Sequence, residues 1–142
     1  MHAAARERLA SAGLRPSRSR IAILASLAAR RDQPTAEQVY SDLSPRLATL
    51  SRTTVYSTLR LFCEKGLARQ IGTQAHEMRF DGVLPFHAHF LCRRCGRLFD
   101  LRMKGGAAAL PEPDFPAGFA PEHPQLVYSG LCAECARAAE GK

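Results

Sequence analysis

The segments Cys92-Arg-Arg-Cys95 and Cys132-Ala-Glu-Cys135 are two cysteine pairs of identical spacing, separated by 36 residues. Two residues between thiolates let both sulfurs reach one ion from a tight turn. Two such turns complete a closed tetrahedral four-sulfur shell, which is the usual structural zinc site. We therefore expect the four cysteines to hold the fold together and to leave no open position for a substrate. Two disulfides are the alternative interpretation of the same residues.

The positive charge of the chain is concentrated in its first part. The 142 residues carry a net charge of +7. Residues 1–82 hold 13 Lys and Arg against 7 Asp and Glu, whereas residues 83–142 hold 7 against 6. A basic part joined to a nearly neutral part indicates a nucleic-acid-binding domain attached to a second domain. A solvated basic surface explains the charge alone equally well.

The apolar runs are all short. None approaches the roughly 18 residues that a membrane helix needs. The first ten residues include Arg6, Glu7 and Arg8, so they lack the apolar core of a signal peptide. We therefore expect a cytoplasmic protein without a membrane partner, and a reducing compartment favours metal-bound thiolates over disulfides.

Four helices are predicted before residue 67, each with its own start or stop signal. The signals are Gly13 after a helix over 2–12, Ser17 before the second helix, Thr35 and Gln38 as a capping box for the third, and Ser51 and Gly66 around the fourth. In the second helix, apolar residues recur with helical spacing from Ile21 to Ala28, which predicts one buried face.

The fourth helix has one apolar and one polar face. Val55, Leu59 and Phe62 fall on the apolar side. The opposite side carries Thr53, Tyr56, Ser57 and Arg60, with Arg52 at the helix start. Hydroxyl, phenol and guanidinium groups on one face are typical of a helix that reads the major groove of DNA, and an ordinary solvated surface is the alternative.

The segments 67–71 and 77–80 read as a two-stranded wing around a turn at Gly72. Helices beside a β-hairpin predict a winged helix-turn-helix domain over residues 1–82, ending at a hinge formed by Asp81-Gly82. The predicted fold class is thus α+β.

The remaining residues, 83–142, predict a small α/β dimerisation domain with structural zinc. Strands are expected at 86–92, 97–101 and 125–128, with a short C-terminal helix. A helix over 103–110 is weakened by Gly105 and Gly106. About 60 residues bury too little surface to be stable alone, so a metal ion and a dimer partner are both expected to stabilise this domain.

Together these motifs carry a family resemblance that spans nearly the whole chain. They are Gly13-Leu14-Arg15, Thr54-Val55-Tyr56 with Leu59, His87-Ala88-His89, Cys92-x-x-Cys95-Gly96 and Tyr128-Ser-Gly-Leu-Cys132-x-x-Cys135. The combination resembles the ferric uptake regulator (Fur) family of bacterial metalloregulators. The resemblance implies a homodimeric repressor of palindromic, A/T-rich DNA operators, with Arg15 reaching into a narrow minor groove. A phosphate contact or a free solvent position is the alternative for Arg15.

The resemblance also implies a regulatory metal site at the junction of the two domains. Its ligands are expected to be Asp81, His87, His89 and Asp100, which is a mixed nitrogen and oxygen set that suits Fe(II) or Mn(II). Aspartate at both carboxylate positions is most similar to the peroxide-responsive branch of the family. In that branch bound Fe(II) reacts with peroxide, a ligand histidine gains an oxygen atom, and the DNA is released.

The chain departs from the pattern of that branch at Gln33, where the branch carries a fifth ligand, a histidine. His76, in the predicted wing, is the other residue considered for that role. The fifth cysteine, Cys63, lies on the flank of the fourth helix and is expected to be a small buried hydrophobe, with a redox role as the minority interpretation.

Three rival functions remain open on the sequence. An iron-responsive repressor without peroxide chemistry shares the whole architecture. The second rival is a DNA-binding module that binds only a structural zinc ion and has no regulatory metal site. A zinc hydrolase needs an open metal position and a general base, which a four-thiolate site does not supply, so the chain is not expected to be an enzyme.

Overall fold

The chain divides into two units, Met1–Val83 and Leu84–Lys142. The structure is a computed structural model that describes residues 1–72, 77–82 and 85–141. In the first unit the helices are α1 (His2–Ser11), α2 (Arg18–Ala29), α3 (Ala36–Leu43) and α4 (Arg52–Glu64). Within the described ranges no helix is long and apolar enough to cross a membrane.

The predicted helix caps explain where α2, α3 and α4 begin. The Ser17 Oγ accepts a hydrogen bond from the Arg20 N–H at 3.2 Å, and the Ser51 Oγ accepts one from the Thr54 N–H at 3.1 Å. Thr35 forms the complete capping box, because its Oγ1 accepts from the Gln38 N–H and the Gln38 Oε1 accepts from the Thr35 N–H. Each cap satisfies a donor that the helix leaves unpaired, and each contributes about 1 kcal/mol.

The four helices bury one continuous apolar core. Its fully buried members include Leu9 of α1, three apolar side chains of α2, and three of α4. Those six are Ile23, Leu24, Leu27, Val55, Leu59 and Phe62. The apolar face predicted for α4 is thus its buried face, and burying side chains of this size is the main stabilising contribution in the unit.

A two-stranded antiparallel sheet, β1 (Arg69–Gly72) and β2 (Met78–Asp81), completes the first unit. The Phe80 N–H donates to the Pro34 carbonyl at 2.9 Å, and the Arg79 guanidinium donates to the Gln33 carbonyl at 3.3 Å. These bonds attach the wing to the loop between α2 and α3. The first unit is the predicted winged helix-turn-helix.

The second unit is a three-stranded sheet followed by a helix. Its elements are β3 (Ala88–Cys92), β4 (Leu98–Leu101), a 3-10 turn (Gly106–Ala109), β5 (Val127–Gly130) and α5 (Ala133–Glu140). The strand order is β4-β3-β5, with β4 antiparallel and β5 parallel to β3. The α+β fold class, a winged helix followed by a small α/β unit, is confirmed.

Two predictions in the second unit need correction. The helix over 103–110 is wrong, because Gly105 and Gly106 adopt φ of 83° and 62° and leave only a 3-10 turn. The third strand lies two residues later than 125–128. Its position is set by parallel pairing with β3, which places Phe90 opposite Tyr128 and Cys92 opposite Gly130.

Gly82 follows β2 and approaches α2 so closely that a side chain does not fit. A Cβ at this position would lie 2.7 Å from the Leu27 Cβ and 3.2 Å from the Leu27 carbonyl carbon. We predict that Gly82→Ala destabilises the first unit by about 1–3 kcal/mol, the usual cost of overpacking, as measured by urea denaturation.

The matched control is Gly72→Ala at the end of β1. Among the described residues other than its chain neighbours, no heavy atom lies within 4 Å of a Cβ built there. We expect this variant to unfold at nearly the same urea concentration as the parent. Equal midpoints for both variants would contradict the close approach at Gly82.

Candidate metal centres

Four cysteines converge in the second unit. Cys92 ends β3 and Cys95 lies in the turn before β4, whereas Cys132 precedes α5 and Cys135 lies in its first turn. The four sulfurs all lie within 4.8 Å of one another. Residues far apart in the chain meet here because β5 pairs with β3, so that both cysteine turns emerge at the same end of the sheet.

The spacing of the sulfurs fits a metal ion and not a disulfide. The Cys95 and Cys132 sulfurs are 3.9 Å apart, and all five cysteines of the chain are free thiols. A disulfide needs about 2.05 Å. Tetrahedral zinc with bonds of about 2.3 Å places its sulfurs about 3.8 Å apart. The four-cysteine cluster therefore fits a tetrahedral zinc ion.

The surroundings of the cluster favour the thiolate form at Cys92 and Cys95 but not at Cys135. The backbone N–H of Cys132 donates to the Cys92 sulfur at 3.4 Å, and this bond is the largest of the causes that lower the Cys92 pKa to about 5. The Arg97 guanidinium is the largest cause of a lowered pKa at Cys95. Burial raises the pKa of Cys135 to about 12, so its sulfur needs the charge of a bound cation to deprotonate at neutral pH.

A second cluster of potential ligands combines two imidazoles and one carboxylate. His89 lies in β3 directly opposite Asp100 of β4, and His87 lies just before β3. The Asp100 Oδ1 is 3.3 Å from the His87 Nε2 and 3.7 Å from the His89 Nε2. The two imidazole centroids are 4.6 Å apart. Strand pairing thus brings together three of the four predicted regulatory ligands.

The hydrogen bond of His87 indicates which of its two ring nitrogens faces the cluster. Its Nδ1 lies 3.1 Å from the Pro85 carbonyl, which can only accept, so Nδ1 carries the proton. The Nε2 faces the Asp100 carboxylate, so a metal ion bound between them would have one ligand from each side chain. Donation of one ring N–H to a backbone carbonyl is the usual way in which proteins orient a metal-binding histidine.

Three further residues were considered as ligands of the regulatory metal. Two of them, Asp81 and Gln33, lie in the first unit, and His76 is the third. Asp81 is the last residue of β2 and pairs in register with Arg69. Gln33 is buried in the loop between α2 and α3, with an unusual positive φ of 45°. His76 lies outside the described residues.

The residues predicted to contact DNA lie on the first unit. On α4, Arg52, Thr53, Tyr56, Ser57 and Arg60 are all exposed, and the phenol of Tyr56 is 51% exposed. Arg15 is exposed in the loop before α2. Arg20, which the sequence analysis missed, donates from its guanidinium to the Arg15 carbonyl at 3.0 Å and fixes that loop.

Arg52 has partners that the sequence analysis did not identify. Its guanidinium forms a bidentate ion pair with the Glu37 carboxylate, in which Nε lies 2.9 Å from Oε2 and Nη2 lies 3.0 Å from Oε1. It also lies over the Tyr40 ring at 4.3 Å. Glu37 and Tyr40 belong to α3, and no local sequence signal links them to Arg52, fifteen residues beyond Glu37. The pair ties α3 to the start of α4.

The fifth cysteine packs against the core of the first unit. Cys63 is half-buried on α4, and burial raises the pKa of its thiol to about 11, with the neighbouring Glu64 as a smaller cause. A thiol of this kind is protonated at neutral pH and unreactive. These properties match the predicted role as a small hydrophobe.

A winged helix-turn-helix followed by a unit with a four-sulfur cluster defines a class of metal-binding regulatory proteins. The sequence pattern of the ferric uptake regulator family matches residues 11–112. The chain belongs to this family.

Relatives and solved structures extend the match over almost the whole chain. The peroxide operon regulator of Bacillus subtilis is 33% identical over 131 residues, covering 92% of this chain and 90% of the relative. The peroxide-responsive repressor PerR of Staphylococcus epidermidis is 29% identical over 127 residues, covering 89% and 85%. A zinc uptake regulator solved with zinc and DNA is 22% identical, with a TM-score of 0.66 and coverage of 98% and 95%.

Proposed function

We propose that this protein is a metal-dependent transcriptional repressor of the cytoplasm that senses peroxide, without being an enzyme. Membership of the family and the similarity to two proteins named as peroxide regulators support the proposal. The observation that carries it is the cluster formed by His87, His89 and Asp100. Two imidazoles and a carboxylate are ligands that suit Fe(II) or Mn(II), and sulfur is absent from this described cluster.

Asp81 is proposed as the fourth ligand. Only six positions separate it from His87, so the chain between them spans at most about 20 Å when fully extended. Asp81, together with the histidines, would hold the metal and so connect the end of β2 to β3. The bound metal then restricts the hinge between residues 1–82, the proposed DNA-binding domain, and residues 83–142, the proposed dimerisation domain.

The proposed DNA partner is a palindromic, A/T-rich duplex. The exposed polar face of α4 is suited to base contacts in the major groove, with Tyr56 and Arg60 as its largest side chains. Arg15 is suited to a narrow minor groove, where the negative potential attracts guanidinium groups. The solved relative that contains zinc and DNA supports this choice of partner.

A homodimer is proposed because the second unit leaves a strand edge and aromatic rings exposed. Within the described sheet, β5 pairs on one side only, and an open edge is a template for another strand. Tyr128 on β5 is 54% exposed, and Phe115 and Phe119 are also exposed. In a dimer, the metal-restricted hinges set the distance between the two α4 helices, which a palindromic operator reads as half-site spacing.

Peroxide is proposed to end repression by modifying a ligand. Overall, one oxygen atom of hydrogen peroxide enters a carbon–hydrogen bond of His87 or His89, and the other oxygen leaves as water. Bound Fe(II) supplies the redox chemistry, which Mn(II) does not. The altered imidazole binds metal poorly, the hinge is released, and DNA affinity falls because the metal favoured the DNA-binding geometry.

The second candidate function is an iron-responsive repressor without peroxide chemistry. Gln33 favours it, because the peroxide branch resembled by the sequence carries a histidine where this chain has a buried glutamine. An amide oxygen is a weaker ligand for Fe(II) than an imidazole. A zinc hydrolase has no comparable support, since four sulfurs fill a tetrahedral shell.

Peptide mass spectrometry after brief exposure to dilute hydrogen peroxide distinguishes the two functions. We predict one added oxygen atom on His87 or His89 in protein loaded anaerobically with Fe(II), and none in the Mn(II)-loaded control. Asp100→Glu should strongly reduce the modification, because the longer side chain moves the carboxylate relative to both imidazoles.

Unmodified histidines in the iron-loaded protein, with metal binding intact, would favour the iron-responsive repressor. In that case Gln33→His is the informative variant. If the added oxygen appears only in Gln33→His, the missing imidazole at position 33 is the reason why the wild-type histidines are not modified.

The contact between Glu37 and Arg52 allows a test of the DNA surface. The Glu37 carboxylate competes with DNA phosphate for this guanidinium. We predict that Glu37→Gln raises the affinity for duplex DNA at low salt and steepens the slope of log affinity against log salt by about 1, as expected for one more neutralised phosphate. Fluorescence anisotropy of a labelled duplex measures both.

The charge-matched control is Asp42→Asn, which also removes from α3 a carboxylate that is paired with an arginine. It should change the slope less, because its partner Arg30 lies outside the proposed DNA face. Equal effects of the two variants, or weaker binding by Glu37→Gln, would show that Arg52 is not released for DNA contact.

A further inference from the structure

Arg97 reaches both cysteine pairs of the four-sulfur cluster. Its Nε lies 3.5 Å from the Cys95 sulfur, and its Nη2 lies 3.8 Å from the Cys132 sulfur. Sulfur is large and diffuse, so N–H donors reach it at longer distances than they reach oxygen. One planar guanidinium therefore donates to one sulfur of each pair.

Two further contacts hold the guanidinium in this position. Its Nη2 also forms an ion pair with the Glu134 carboxylate, and Glu134 lies between the two cysteines of the second pair. The Phe99 ring lies 5.4 Å from the guanidinium carbon. Arg97 comes two residues after Cys95, so the contact network joins the β3–β4 turn to the start of α5 without the metal.

Charge makes this contact important for a zinc site. Four thiolates around one zinc ion leave a net charge of −2, concentrated on the sulfurs. N–H groups that donate to the sulfurs stabilise this charge and reduce the tendency of a sulfur to take up a proton or to leave the metal. Hydrogen bonds to charged groups are also stronger than those between neutral groups.

We propose that Arg97, anchored by Glu134, is a positioning residue that keeps the four-cysteine zinc shell closed by donating to the Cys95 and Cys132 sulfurs. This rests on the proposed zinc site. The contact retains the zinc ion and protects the sulfurs on the face that Arg97 covers. Arg97 is half exposed, so water screens part of its effect, which lowers the expected magnitude.

The test compares Arg97→Gln, Arg97→Lys and Glu134→Gln as full-length, zinc-loaded proteins. Losing a partner of a metal ligand usually costs about 10–100-fold in metal affinity. We expect Arg97→Gln to release zinc to a colorimetric chelator about 10-fold faster than the wild type, which is the lower end of this range. Arg97→Lys should be intermediate, because an ammonium keeps the charge but lacks the planar fork that reaches two sulfurs.

A spectroscopic signature separates donation to sulfur from general destabilisation. In cobalt-substituted protein, the sulfur-to-cobalt charge-transfer band should move to longer wavelength in Arg97→Gln, because the sulfur electrons lose the N–H groups that stabilise them. Glu134→Gln should cause a smaller shift. Arg102→Gln removes the same charge from the end of β4 and serves as the control, with circular dichroism confirming that each variant is folded.

The possible results separate a failure of the proposed role of Arg97 from a failure of the proposed zinc site. Wild-type protein that retains no zinc after dialysis would overturn both. Zinc retained by the wild type, with identical release rates and cobalt spectra for Arg97→Gln and Arg102→Gln, would overturn the role of Arg97 alone. If Arg97→Gln does not fold, the same comparison of Arg97→Lys and Glu134→Gln with the control decides.

Discussion

Convergence of four cysteine sulfurs is the constraint on which the second unit depends. Beside the cysteines, the buried apolar side chains described in this unit are few, namely Ala88, Leu91 and Leu98. A core of this size contributes little, whereas a structural zinc site contributes binding free energy of about 10–16 kcal/mol, which appears as folding stability. A zinc ion bound by both turns would hold β5 in the parallel register beside β3 that the sheet shows.

The same strand connects the two proposed metal sites. β3 carries His89 near its start and Cys92 at its end, and its pairing with β4 places Asp100 opposite His89. Four cysteines would fill the shell of a zinc ion and retain it, whereas the imidazole and carboxylate ligands suit an exchangeable Fe(II) or Mn(II). With both proposed sites filled, one metal would stabilise the scaffold while the other responds to the cell.

Local chemistry made much of the fold predictable. Helix starts at Ser17, Thr35 and Ser51 depend on side chains within three residues, and the cysteine spacing indicates its own ligand geometry. Contacts between distant residues were not predictable, because neither Arg97 with Glu134 nor Arg52 with Glu37 leaves a pattern in the sequence. The position of β5 was missed for the same reason, since its partner strand sets it.

Metal-dependent DNA binding is the central claim, and an affinity measurement on a selected duplex tests it most directly. The duplex is chosen from a random pool with Mn(II)-loaded protein, and binding is then measured with and without Mn(II) while the zinc is retained. We predict that Mn(II) raises the affinity for DNA at least tenfold in the wild type and has little effect in His89→Ala. Equal affinity with and without Mn(II) would contradict it and indicate a DNA-binding module with a structural metal only.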